Sequence, residues 1–195
     1  MPTIQIPKLT SYATITSLLI KQLRMFGFDF IRSGGDMEKV KAVNSYNQDE
    51  IAERLGMTKA TYAKIENGDV IVNILHIGNL CSVYGITLTD FMAAVELKIS
   101  QLESEGISTT HAKLPFRLDK VRWEEKLKEK TEARYNSEVK ALKKNKTFAM
   151  YSDEQKLELK KKCRRAVFTE WDKKYDLGEA LSVYDYEQAR NSGEG

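Results

Sequence analysis

Cysteine, histidine and proline are scarce in this chain. The two cysteines, Cys81 and Cys163, lie far apart with no close partner, so the sequence suggests neither a disulfide framework nor a zinc site. The two histidines, His76 and His111, leave little for metal or acid–base chemistry. No metal and no cofactor is expected. Only 3 prolines and 11 glycines among 195 residues argue against a collagen-like or loop-rich chain. No apolar run reaches the ~18 residues that a membrane span needs. The opening stretch MPTIQIPKLTSYATIT lacks the basic-then-apolar pattern of a signal peptide. A reducing, cytoplasmic compartment is therefore expected. No histidine is placed to partner a nucleophile and no glycine-rich phosphate loop appears, so a catalytic role is not expected.

What is present is enough apolar material for a packed core: 42% of the residues are hydrophobic and 30% charged. At ~100–200 residues per domain, the length suits one large domain or two small ones. The net charge of +3 is modest but uneven. Residues 1–96 carry 9 basic and 10 acidic side chains, residues 107–175 carry 20 and 11, and the tail 176–195 carries 1 and 5. A basic middle-to-late segment closed by an acidic end points to a polyanion or an acidic partner, although long solvated helices show the same pattern.

Periodicity and caps predict an all-α chain. Residues 1–13, with Pro2 and Pro7, read as an extended N-terminal arm. A first helix follows from Thr14 or Thr16, with Leu18, Leu19, Leu23 and Phe26 at helical spacing, and Gly34-Gly35 breaks the run. Asn47 can cap a helix whose apolar face is Ile51, Ala52 and Leu55 and which Gly56 ends. Thr58 can cap the next, 59–66, which stops at Asn67-Gly68. A further helix spans about 73–84, and Thr87 with Asp90 resembles a capping box opening one from 88 to about 104. Residues 106–118 read as a linker. Beyond it, Trp123, Leu127, Tyr135, Val139 and Leu142 make one stripe, and Leu159, Cys163, Val167, Trp171 and Tyr175 another, which suggests a helical hairpin over 119–195 with a last short helix at 178–190.

The most informative window is QDEIAERLGMTKATYAKIENGD, Gln48 to Asp69. Two short helices joined by a tight turn at Gly56 form a helix-turn-helix, whose second helix can enter a DNA major groove. Ala52 is small where the helices cross, and Ile51, Leu55 and Ile65 can fill the space between them. Thr58 satisfies amides at the start of the second helix, and that positive end suits a nearby phosphate.

With IKQLR at Ile20–Arg24 before it and NILHIGNLCSVYGITLTDFM after it, this window resembles the lambda-repressor-like (Cro/CI, Xre-type) DNA-binding domain over about residues 14–95. The resemblance implies a five-helix domain over 14–105 that binds double-stranded DNA, commonly as a homodimer on half-sites about one turn, ~34 Å, apart. It implies a phosphate contact and a bracing role for Gln48, and base-facing positions for Lys59, Ala60, Ala63 and Lys64. Lysines can donate to guanine O6 and N7, and alanines can touch a thymine methyl. Thr58, Thr61 and Asn67 would face phosphates or cap helices, and Arg24 with Glu66 would tie the first helix to the end of the recognition helix.

Two features depart from the family pattern. Between Arg24 and Asn47 lie 22 residues where the family has a handful. That insertion, 27–46 at its core, carries Phe28, Phe30, Ile31, Val40 and Val43, which suggests packing, and Arg32, Lys39 and Lys41, which suggest a reach toward DNA. The domain itself is also acidic by one charge, so the basic later region would have to supply part of the phosphate neutralisation. Within helix 88–104, Met92, Val95, Ile99 and Leu102 form a short seam read as a dimer contact or, alternatively, as packing on the C-terminal hairpin of the same chain. The expected function is a sequence-specific transcriptional regulator, a repressor of phage or mobile-element type. The alternative is an interaction protein, an antitoxin or phage-encoded inhibitor, whose residues 107–195 bind an acidic protein partner. A third reading has the hairpin gripping RNA or DNA without sequence preference.

Overall fold

A computed structural model describes residues 8–35, 46–144 and 148–175. The proposed helix 178–190, the acidic tail, and Lys39, Lys41, Val40 and Val43 of the insertion lie outside the described residues. The chain divides into two compact units, Lys8–Val121 and one built from Arg122 onward. Helices dominate both, in keeping with the all-α expectation.

The first unit opens with a short strand, β1 (Leu9–Ser11), that runs directly into α1 (Tyr12–Phe26). Ser11 caps α1, its hydroxyl accepting from the Thr14 amide at 3.2 Å. One face of α1 buries Ile15, Leu19, Ile20 and Leu23. Gly27, at φ 78°, ends the helix in a backbone conformation that side chains with a Cβ rarely adopt. The start of the insertion forms α2 (Phe28–Arg32), with Phe30 and Ile31 buried, so this part of it packs on the core. There follow α3 (Gln48–Arg54), α4 (Lys59–Glu66), α5 (Ile74–Tyr84) and α6 (Leu88–Ser104). Thr87 and Asp90 do form a capping box on α6, each side chain accepting from the other's backbone amide at 3.0 Å.

Two expectations need correction here. The segment read as a linker is built into the unit: β2 (Ser108–Thr110) pairs in parallel with β1, Thr10 opposite Thr109, and Ile107 is buried in the core. Asp119, only 1% exposed, accepts hydrogen bonds from Thr10 (2.7 Å), Ser11 (3.2 Å) and Thr14 (2.5 Å). Thr10 and Ser11, in the described part of the segment read as an extended arm, are thus fastened to Asp119, just beyond the segment read as a linker. The dimer seam is corrected as well. Val95, Ile99 and Leu102 are buried in the core of their own unit, and only Met92, of the four, is exposed. Periodicity alone could not separate a seam that meets a second copy from one that meets α1.

The second unit holds most of α7 (Lys120–Lys144) and α8 (Asp153–Tyr175). Trp123 stands 5.4 Å from Phe168 and 6.3 Å from Trp171, ring centre to ring centre. Glu132 pairs with Lys160, so the two helices run antiparallel as a hairpin. Leu127, Cys163 and Val167 complete its buried stripe, and burial raises the Cys163 thiol pKa.

Candidate nucleic-acid interface

The sequence dictates the α3–turn–α4 corner locally. Asn47 and Glu50 form a reciprocal capping box at the start of α3, with hydrogen bonds of 2.9 and 2.7 Å. Gly56, at φ 65°, makes the turn, and the Met57 amide closes it onto the Ala52 carbonyl at 2.9 Å. Thr58 then caps α4 by accepting from the Thr61 amide at 3.2 Å. Ile51, Ala52, Tyr62 and Ile65 are buried between these helices and the core, and Leu55 packs against it half-buried. Once those apolar side chains are inside, helical geometry turns the remaining positions outward. Thr58, Lys59, Ala60, Thr61 and Lys64 are exposed, while Ala63 and Asn67 are partly so.

Arg24 and Glu66 meet in a two-pronged ion pair, Nε to Oε1 at 2.5 Å and Nη2 to Oε2 at 3.0 Å. Gln48 joins them, donating from Nε2 to Glu66 Oε2 at 2.7 Å. Arg24 also donates to the Tyr46 carbonyl at 3.2 Å. This network links α1, the chain just before α3, the start of α3 and the end of α4. Burial by itself lowers the Arg24 pKa, but the hydrogen bond and charge of Glu66 outweigh it and the net shift is upward. The phenols of Tyr62 and Tyr84 are pushed up chiefly by burial, with the charge of Glu66 acting the same way, and so stay protonated. The buried pair orients α4 rather than touching anything outside.

The structure brings Gln48, Arg24 and Glu66 together, and leaves Lys59 and Lys64 on the open face. It also brings in a residue that the sequence reading passed over. Lys59 Nζ lies 2.6 Å from Asp49 Oδ2. The available signal was the helix-turn-helix spacing itself, which sets the second residue of α3 beside the first of α4. Past Asn67, the exposed surface turns apolar at Ile71, Ile74 and Leu75. Among the described residues no single helix is long and apolar enough to cross a membrane.

Residues 44–91 match the family model described as helix-turn-helix, the lambda-repressor-like, Xre-type segment. The match covers α3 through the start of α6 and includes every outward-facing residue of α4. No curated protein and no solved structure matches the chain.

Proposed function

We propose that the chain is a sequence-specific DNA-binding transcriptional regulator, acting as a repressor, with α4 in the major groove. The observation that carries this reading is the outward face of α4. It offers two exposed lysines and small neighbours, Ala60 and Ala63, on a helix whose orientation is set by the Arg24–Glu66–Gln48 network. Small residues let the helix backbone approach base edges, and lysines donate to guanine O6 and N7. Thr58, Thr61 and Asn67 flank that face and suit phosphate oxygens. The compartment proposed is the cytoplasm, where operator DNA lies. The experiment is selection from random duplex DNA with the full chain: an enriched motif of a few base pairs supports the reading, and no enrichment over input ends it.

A homodimer on twofold-related half-sites would have to meet without Val95, Ile99 and Leu102, which are buried within their own unit. The exposed Ile71, Ile74 and Leu75 offer apolar surface for it. Sedimentation of the full chain with and without Leu75→Glu tests this, a dimer that becomes a monomer being the supporting result.

The alternative reading, an interaction protein with an acidic partner, has its own observation. The hairpin exposes Lys128, Lys130, Arg134, Lys140, Lys144 and Lys162, whereas the helix-turn-helix unit carries acidic Asp49, Glu50 and Glu53 on α3. Binding that survives removal of all nucleic acid and requires those six cations favours it over the regulator.

A further inference from the structure

The Lys59–Asp49 pair lies in the open, its side chains 57% and 63% exposed. Exposed ion pairs add little to stability, so its place at the start of the recognition helix calls for a different explanation. A lysine ammonium on a flexible stem is a compact point charge with no preferred geometry, and alone it is drawn to phosphate regardless of sequence. Paired, it keeps two of its three donors free, while the adjoining carboxylate repels phosphate oxygens. Gln48 is not placed to do this, because its amide is held inward on Glu66.

We infer that Asp49 is a positioning residue that determines sequence specificity at the proposed DNA interface: it holds Lys59 so that the free donors reach guanine O6 and N7, and it bars their capture by the phosphate backbone. The inference rests on the DNA-binding reading above. Without Asp49, Lys59 can neutralise one more phosphate, so binding to any duplex strengthens and preference for the right one falls.

The test measures affinity of the full chain for its selected duplex and for a scrambled duplex across a range of salt concentrations. The variants are Asp49→Asn, Asp49→Glu, Lys59→Ala, and Asp49→Asn combined with Lys59→Ala. Asp49→Asn should tighten scrambled binding and steepen its log–log salt slope by about 0.9, the value of one further phosphate contact. The preference for the selected duplex should fall roughly 5- to 160-fold, the range for losing one well-made base contact. Asp49→Glu, which keeps the carboxylate, should restore most of it. In the Lys59→Ala background, Asp49→Asn should change neither slope nor preference, a result that a merely structural role of Asp49 does not produce. If the wild-type chain selects no sequence, this inference falls together with the DNA reading. If it selects one and Asp49→Asn leaves slope and preference unchanged, the inference alone is overturned.

Discussion

Gln48 and Arg24 donate to the same oxygen of Glu66, Oε2, at 2.7 and 3.0 Å. One buried carboxylate therefore takes the charge of α1 and the amide of α3 at the end of α4. Removing one partner of such a pair leaves the other buried and uncompensated. Arg24→Ala is expected to destabilise the first unit by about 3–5 kcal/mol, and Gln48→Ala by about 1.5–3 kcal/mol. Denaturant unfolding of the two variants measures both. Equal and negligible losses would show that the network does not hold α4.

The closure of the first unit gives a second prediction. Asp119 accepts from three hydroxyls of the β1–α1 corner, so Asp119→Ala leaves buried hydroxyls unpaired, at about 1–3 kcal/mol for each that finds no water. A chain ending at 121 should unfold in one cooperative transition, and a chain ending at 105 should be markedly less stable. Circular dichroism during urea titration compares them. Identical midpoints would restore 106–118 to the status of a linker.

The correction to the α6 seam is also open to test. Leu102→Ala and Ile99→Ala should each cost about 2–5 kcal/mol, the usual price of truncating a buried aliphatic side chain, and should leave oligomeric state unchanged. Light scattering alongside thermal unfolding separates the two effects. A variant that keeps its stability and loses a dimer would return those residues to an intermolecular contact.

Asp90 titrates below the ordinary aspartate range because the Thr87 hydroxyl and backbone amide donate to its carboxylate. A carboxyl whose folded pKa is depressed favours folding above its unfolded pKa of about 3.9. That contribution is present at neutral pH and is lost as pH falls from there through the lower folded value. Carboxyl NMR titration should place the Asp90 midpoint below the ordinary one, and Thr87→Ala should bring it back up. An Asp90 midpoint that Thr87→Ala does not move would refute the cause given.

Helix positions were largely legible in the sequence because caps and apolar spacing are local signals. Thr58, Asn47 and the Thr87–Asp90 box stand at the helix starts that they announced. The Arg24–Glu66 contact spans 42 residues and no periodicity reaches that far; it was legible only through resemblance to a known family. What escaped depends on tertiary partners. Three-residue strands such as Leu9–Ser11 and Ser108–Thr110 are too short to show an alternation, and Asp119 resembles any surface aspartate until its three hydroxyl donors close over it. The α6 stripe was read as a dimer contact because a stripe does not name the surface that covers it. Asp49 is a first-turn acid, favourable to the helix dipole, and only the fold brings Lys59 to it.

The central claim is that α4 reads base edges through its exposed lysines. The most direct measurement repeats random-duplex selection with Lys64→Ala beside the wild-type chain. The account predicts that the variant loses preference at one or two adjacent base pairs, by about 1–3 kcal/mol, and keeps the rest of the motif. A motif that is unchanged by the substitution, or that weakens evenly at every position, would contradict it.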